Sequence, residues 1–182
     1  VDSLWSGTSL LWTGLNQLYE LLGAKRDQGD FTLSAAVPLP QGEIELQKNY
    51  VFKRATVEVN TSLLSGLEED LELVLGQELN FAFPSDSVDC LRVYERSGRG
   101  RRVEIGPESQ TVSAQSNVLF EDRSHRQVLS VLASDRIDWD LERNVNREDG
   151  SFQGSRLRAR FPVLLKAGTR VDLRLSLRIE KA

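Results

Sequence analysis

The stretch RVDLRLSLRIE, Arg170–Glu180, carries the clearest structural signal in the sequence. Apolar and polar side chains alternate along it without a break, and the apolar positions are Val171, Leu173, Leu175, Leu177 and Ile179. This two-residue period predicts a β-strand with one face packed on a second layer and the other face exposed. The preceding stretch RLRARFPVLL, Arg156–Leu165, is similar, and KAGT between them has the composition of a turn. We therefore predict that the two stretches form an antiparallel hairpin.

The same period continues through most of the chain. Short alternating runs bounded by polar or turn residues lie at residues 31–37, 44–46, 57–59, 90–94, 102–105, 118–120, 127–132 and 137–141. The stretch 70–84 fits either a helix or two strands, and we favour strands because Leu71, Leu73 and Leu75 alternate. Many short antiparallel strands separated by turns predict a mainly β fold. For residues 31–182 we expect an antiparallel β-sandwich or jelly-roll-like domain.

The first 25 residues follow a different period. LWSGTSL, LWTGLNQ and LYELLGA, residues 4–24, each begin with leucine and a large aromatic side chain at intervals of seven residues. This spacing is typical of a coiled-coil seam. We therefore predict an α-helical, coiled-coil-like arm over residues 1–25, joined to the β domain by a linker at residues 26–30. The predicted interface between copies comprises Leu4, Trp5, Gly7, Thr8, Leu11, Trp12, Gly14, Leu15, Leu18, Tyr19 and Leu22.

Packing would have to stabilise such an arm, because its serine, threonine and glycine residues are poor helix formers. A period of about 3.5 residues favours supercoiling between copies. We expect a homo-oligomer, trimeric or larger, together with other structural proteins of an assembly. Two alternatives stay open: the helix docks on its own β domain, or its aromatic side lies in a membrane interface.

Composition argues against several classes of protein. The 182-residue chain has a formal net charge of −4 and a pI near 5.2, so a nucleic-acid partner is not expected. No stretch approaches the roughly 20 apolar residues of a membrane span. The single cysteine, Cys90, excludes an intrachain disulfide but fits both reducing and oxidising compartments. The location therefore stays open, with a virion or extracellular surface favoured over the cytoplasm.

Arginine side chains share faces on the two C-terminal strand candidates. Alternation places three together in each stretch: Arg156, Arg158, Arg160, Arg170, Arg174 and Arg178. Like charges directly opposite one another destabilise a sheet, so such a ladder needs counter-charge. The carboxylates of Asp138, Asp140 and Glu142 can supply it from one face of another strand candidate. The arginines are the candidate site for an anionic ligand or partner such as a sulfated glycan, and ordinary surface charge pairing is the alternative.

No catalytic residue, metal ligand or cofactor is predicted. His125 is the only histidine and lies in a polar turn, where the adjacent Ser124 does not by itself make a triad. Cys90 lies in an apolar strand candidate, where an inert thiol is expected. The Asp138–Glu142 carboxylates could bind calcium or act as an acid–base pair at a glycosidic bond, but their spacing fits no calcium-binding motif.

From these patterns we predict a non-enzymatic structural protein that assembles through its N-terminal helix and carries a β-sandwich head, as in fibres, spikes and virion components. The alternative is a carbohydrate- or anionic-polymer-binding β domain that contacts its ligand through the arginine faces. A glycoside hydrolase that uses the Asp138–Glu142 carboxylates is the third hypothesis.

Overall fold

The computed structural model describes residues 1–16, 18–25, 29–83, 87, 89–97, 100–106, 108–146 and 148–182. Thirteen β-strands and one turn of 3-10 helix, Gly14–Asn16, form the regular structure of these residues. The strands are β1 (Asp2–Ser6), β2 (Ser9–Thr13), β3 (Glu20–Lys25), β4 (Asp30–Leu39), β5 (Gly42–Lys53), β6 (Thr56–Leu67), β7 (Leu71–Phe81), β8 (Leu91–Ser97), β9 (Arg101–Glu104), β10 (Gln110–Asp122), β11 (Gln127–Val145), β12 (Phe152–Leu165) and β13 (Arg170–Lys181). In this part of the chain no helix has the length and apolar character needed to cross a membrane. The prediction of a mainly β, antiparallel fold is confirmed.

The predicted N-terminal helical arm is wrong, because its first half is a β-hairpin. β1 and β2 have five residues each, and they are joined by a two-residue turn in which Gly7 has a φ of +55°. Five residues of strand plus two of turn place equivalent strand positions seven residues apart. The spacing of Leu4 and Leu11 therefore comes from a strand-and-turn repeat. Of the predicted linker, residues 26–28 lie outside the described residues, and the boundary of the β domain at residue 31 stays a prediction.

The residues predicted to join copies are divided between interior and surface. Leu4 is fully buried, whereas Leu15, Leu18 and Leu22 are 68%, 90% and 51% exposed. Gly7 and Thr8 are exposed, and the remaining members are partly buried: Trp5, Leu11, Trp12, Gly14 and Tyr19. A Cβ on Gly14 would lie 3.0 Å from the Tyr19 hydroxyl and 3.1 Å from the Trp12 ring. Trp12 and Tyr19 of the repeat thus pack over Gly14 within one chain.

The two C-terminal strands form where alternation predicts them, but the predicted hairpin between them is wrong. β12 lies beside β7 and β11, whereas β13 lies beside β6 and β11. The connecting segment does turn, because the Thr169 amide donates to the Lys166 carbonyl over 3.1 Å. The Thr169 carbonyl then accepts from the Ser65 amide over 2.9 Å, which starts β13 next to β6. Alternation identifies the buried face of a strand but not its partner.

The chain forms two compact units. The first comprises Val1–Gln77 and Phe161–Ser176. In it, β13, β6, β5, β4 and β3 are neighbours in that order, as are β2, β1, β7 and β12. β5 and β6 pair without interruption from Gly42 opposite Leu67 to Lys53 opposite Thr56. The fully buried side chains of this unit include Leu4, Val37, Ile44, Leu46, Leu63 and Leu75.

One end of this core is polar. The buried Lys48 ammonium lies 2.8 Å from Oδ1 of the buried Asp2. The Tyr19 hydroxyl donates to Asp2 Oδ2 over 2.7 Å, and Gln77 Nε2 donates to Thr61 Oγ1 over 2.8 Å. Burial opposes ionisation of Asp2, but the Lys48 charge and the hydrogen bonds from Lys48 and Tyr19 outweigh it and lower the pKa of Asp2. We call these five residues the buried ion-pair cluster, and it ties β1 to β5.

The second unit comprises Glu78–Arg160 and Leu177–Ala182. In it, β9, β8, β10, β11 and β12 are neighbours in that order. Trp139 of β11 is fully buried, and its indole Nε1–H donates to the Gln115 carbonyl over 2.8 Å. Phe120 of β10 and Leu157 of β12 are also fully buried. Because side chains alternate along a strand, burial of Trp139 and Leu141 directs Asp138, Asp140 and Glu142 to the opposite face.

Candidate functional site

A row of carboxylates and a row of arginines lie directly opposite each other on β11 and β12. Asp138 pairs with Arg160, Asp140 with Arg158 and Glu142 with Arg156 in the antiparallel register. Paired residues share a face of the sheet, so three acids and three bases form one surface. Glu78 of β7 joins them through Arg156 and Arg158. We call these seven residues the acid–arginine face.

Three ion pairs of this face are long, and others are within hydrogen-bond distance. Arg158 Nη2 lies 3.3 Å from Glu78 Oε2, while Arg158 Nη1 lies 3.9 Å from Asp140 Oδ2. Arg160 Nη1 lies 3.7 Å from Asp140 Oδ1, and Arg156 donates to Glu142 and lies 3.8 Å from Glu78. Separations above about 3.5 Å are too long for hydrogen bonds, and partly exposed ion pairs contribute little to stability. The long ion pairs of this face therefore contribute little to stability.

Two of the carboxylates are held in place from β10. Asp140 Oδ1 accepts from the Thr111 hydroxyl over 2.9 Å. Asp138 Oδ1 accepts from the Ala114 amide over 3.0 Å. Ala114 has a φ of +54°, in the left-handed region that non-glycine residues rarely adopt, and it lies where the register of β10 with β11 shifts. A strained residue that donates to an acid is the kind of feature found where a side chain must be positioned.

A pocket of about 290 Å³ lies in the second unit, and none of the seven residues of the acid–arginine face lines it. Asn80 lines it, and Asn80 Oδ1 accepts from Asn144 Nδ2 over 3.4 Å, two residues beyond Glu142. Its floor is aromatic, because the Phe120 ring lies 5.5 Å from that of Phe83 and 5.3 Å from that of Phe81. The full lining is Asn80, Phe81, Ala82, Phe83, Phe120, Asp122, Gln127, Leu129 and Ile179. An apolar floor with a few polar groups at the rim is typical of small-molecule sites.

His125 lies beside this pocket and does not form a catalytic relay. Its Nδ1 lies 2.7 Å from Asp122 Oδ2 and 3.1 Å from the Ser124 hydroxyl. A relay needs one ring nitrogen on the acid and the other on the nucleophile, whereas here both contacts are made by the same nitrogen. Burial opposes ionisation of Asp122, but hydrogen bonds from Ser124 and His125 outweigh it and lower the pKa of that carboxyl.

The other candidate residues from the sequence are not members of the acid–arginine face. Arg170 donates to Asp172 Oδ1 and to the Ser62 hydroxyl, each over 2.7 Å, and Arg178 donates to Glu180 over 2.9 Å. Arg174 is exposed on β13. Cys90 is a free thiol of intermediate exposure. Among the described residues, no three His, Cys, Asp or Glu side chains are grouped to hold a metal ion.

Several members of the site were not apparent in the sequence. Glu78 and Asn80 alternate with Leu79 and Phe81 along β7, and this signal is present in a stretch that also fits a helix. Ala114 acts through its backbone, so its residue type carries no signal. The three phenylalanines of the pocket come from segments nearly 40 residues apart in sequence, and only the fold brings them together.

No protein-family model and no curated protein matches the sequence. Solved structures do match. A proposed aldose 1-epimerase from Escherichia coli K12 covers 90% of this chain and 69% of its own, with a TM-score of 0.72 and 10% identity. A galactose mutarotase related enzyme from Lactobacillus acidophilus covers 90% and 71%, with a TM-score of 0.66 and 10% identity. This chain has a galactose mutarotase-like β-sandwich fold.

A third match shows the galactose mutarotase-like fold inside a longer protein. The 4-alpha-glucanotransferase from Thermococcus litoralis covers 100% of this chain, which corresponds to 27% of that enzyme, with a TM-score of 0.64 and 12% identity. At such identities the similarity establishes the fold and leaves the ligand to be argued from this chain's own residues.

The structural matches also correct the function predicted from the sequence. The interpretation as a non-enzymatic structural protein of fibres, spikes or virions is wrong, because it rested on a coiled coil and residues 2–13 form strands instead. The proteins that share the fold are named as sugar epimerases, mutarotases and a glucanotransferase, so the prediction that the protein is not an enzyme is also overturned. The carbohydrate-binding alternative agrees better with these findings.

Proposed function

We propose that the protein binds carbohydrate at the acid–arginine face. The observation that carries the proposal is the direct opposition of Asp138, Asp140 and Glu142 to three arginines. A sugar hydroxyl is both a donor and an acceptor. It can therefore donate to a carboxylate and accept from a guanidinium when the two lie side by side on a rigid sheet.

The long ion pairs of Asp140 support this assignment. Pairs 3.7–3.9 Å apart, such as those of Asp140 with Arg158 and Arg160, are too long for direct hydrogen bonds, and a hydroxyl oxygen above the sheet can bridge the two charged groups. Hydrogen bonds in which one partner is charged are about twice as strong as neutral ones.

Removing the arginines of β12 is expected to abolish binding. We expect Arg156→Ser, Arg158→Ser and Arg160→Ser together to lower retention on immobilised glycans at least tenfold, since each charge-assisted contact contributes about 1.5–3 kcal/mol. The measurement is retention on three columns: immobilised galactose, maltotriose and heparin. Retention on heparin alone that is lost on adding salt identifies an acidic glycan as the ligand. Retention on galactose and maltotriose identifies a neutral sugar.

The matched control is the triple variant Arg170→Ser, Arg174→Ser and Arg178→Ser on β13. It removes the same charge but leaves the acid–arginine face intact, so we expect it to retain most of the binding. Equal loss in both triple variants would show that net charge alone drives retention and would contradict the proposed site.

A second candidate function is interconversion of sugar anomers at the same face. It is favoured by the positioned Asp140 carboxylate, which can take the proton of the anomeric hydroxyl as the sugar ring opens and return it to the ring oxygen. We expect the full chain to accelerate the optical-rotation change of freshly dissolved α-D-galactose, and Asp140→Asn to remove the acceleration. An unchanged rate in the presence of the protein would restrict the site to binding.

A further inference from the structure

The first unit has an open sheet edge at β3. In the described part of the chain this strand pairs with β4 and is the last in the sheet order. All six of its residues are exposed, and they include Leu21 at 59% and Leu22 at 51%. An edge strand presents unpaired backbone N–H and C=O groups, and apolar side chains make it a template for another strand. We propose that β3 pairs antiparallel with β3 of a second copy of this chain across a two-fold axis.

The charges of β3 are self-complementary. In an arrangement centred between Leu22 and Gly23, Glu20 lies opposite Lys25 of the second copy, and Leu21 lies opposite Ala24. Directly opposite side chains are about 4.5–5.5 Å apart, so both Glu–Lys pairs attract. A lysine on an edge strand normally discourages pairing. In the proposed pairing, Lys25 is neutralised by Glu20 of the second copy. This favours pairing with a second copy of the chain over pairing with unrelated strands.

A bulge in β3 makes this register possible. Without it, residues 21 and 24 would lie on opposite faces, because side chains alternate. The pairing with β4 shifts between Leu21 and Gly23, so Leu21 lies opposite Leu33 and Ala24 opposite Phe31. Leu33 and Phe31 share a face of β4, and Leu21 and Ala24 therefore share it too. The same reasoning places Glu20 and Lys25 together on the other face, opposite Ser34 and Asp30.

The apolar surface extends beyond the strand itself. The Phe31 ring, on the face of Leu21 and Ala24, stacks 4.8 Å from the Tyr50 ring and 5.8 Å from that of Phe52. Phe52 is 47% exposed. Two such aromatic rows would flank the paired strands in the two-fold arrangement. This surface lies in the first unit, so the proposal is independent of carbohydrate binding.

Charge reversal and its compensation test the pairing. The full chain is expected to form dimers with increasing concentration by light scattering. Glu20→Lys places two lysines opposite each other at both ends, as Lys25→Glu does with two acids, and each is expected to weaken association about tenfold. Combining Glu20→Lys with Lys25→Glu restores two attractive pairs, so the double variant is expected to associate like the unchanged chain.

The matched control is Glu43→Lys, the same charge change at an exposed position of β5, and it is expected to leave association unchanged. Circular dichroism checks that each variant stays folded. A chain that is monomeric at every concentration would overturn the proposal, whether the edge is covered by another protein or by none. Dimers that are insensitive to all charge reversals, or a double variant as weak as the single ones, would place the contact elsewhere and overturn it equally.

Discussion

Replacing Lys48 by methionine is expected to lower the free energy of unfolding by about 3–5 kcal/mol. Methionine keeps much of the side-chain volume, but it leaves the Asp2 carboxylate buried without the ammonium that lies 2.8 Å away. The hydrogen bonds from Tyr19 and Gln77 remain, and they do not neutralise the charge. The measurement is urea unfolding followed by tryptophan fluorescence.

Lys53→Met is the matched control. Lys53 also forms a short ion pair, with Nζ 2.6 Å from Glu58 Oε1, but its side chain is 56% exposed. We expect a loss below about 1 kcal/mol there, because water solvates the remaining acid. Replacing Asp2 by leucine in the Lys48→Met background is expected to recover part of the loss, since no buried charge is then left unpaired. Equal losses at Lys48 and Lys53 would contradict the assignment of a buried ion-pair cluster.

The pH range over which the Asp2–Lys48 ion pair contributes to stability follows from the pKa values of its two members. The pKa of Asp2 is lowered from its ordinary 3.8, so its contribution is present above about pH 4 and is lost as the pH falls through the lowered pKa. Burial opposes the charge on Lys48, but Asp2 and Tyr50 outweigh it and raise the pKa of Lys48 above its ordinary 10.5. Its contribution is present below that pH and is lost as the pH rises through the raised pKa. Near neutral pH, the Lys48→Met variant is expected to lack the stabilisation that the Asp2 carboxylate gains from the Lys48 ammonium.

Gly154→Ala is expected to destabilise the second unit by about 3 kcal/mol or more. Gly154 has a φ of +146°, a conformation that residues with a side chain avoid. A Cβ there would overlap the Phe81 carbonyl oxygen and would lie 3.4 Å from the Ala82 Cα. Backbone atoms cannot rotate away as a side chain can, so β7 and β12 would have to separate. The measurement is the urea midpoint of the variant.

Gly168→Ala separates the two causes. Gly168 also has a positive φ, +67°, but no atom lies within 4 Å of a Cβ built there. Only the conformational cost remains, about 1–2 kcal/mol. A loss at Gly154 no greater than that at Gly168 would show that β7 and β12 do not approach as closely as described.

The strands were predictable from the sequence because alternation is a local property. The apolar residues from Val171 to Ile179 alternate with polar ones, and the middle of that face is buried at Leu173 and Leu175, whereas Ile179 is exposed. The partner of β13 was not predictable, because β6 approaches it from more than 100 residues away and no local pattern records the contact. The heptad spacing of Leu4 and Leu11 was misread as a helix. A five-residue strand and a two-residue turn repeat with the same period.

Part of the candidate site could also be predicted from the sequence, because alternation is a local property. Alternation within β11 places Asp138, Asp140 and Glu142 on one face of that strand. Alternation within β12 likewise places the three arginines on one face of their own strand, so each row could be found before the fold was known. That the two rows share one face depends on the register of the strands. The contribution of Ala114 depends on its φ, and the pocket depends on Phe81, Phe83 and Phe120 meeting in the fold.

The most direct test of carbohydrate binding is a nitrogen–proton correlation spectrum of the labelled protein during titration with galactose, maltotriose and a heparin tetrasaccharide. We expect at least one of them to shift the backbone signals of residues 138–144 and 154–160 and the side-chain Nε signals of Arg158 and Arg160. Asp140→Asn is expected to weaken these shifts. Shifts confined to other strands, or no shift with any of the three at millimolar concentration, would contradict a carbohydrate site on the acid–arginine face.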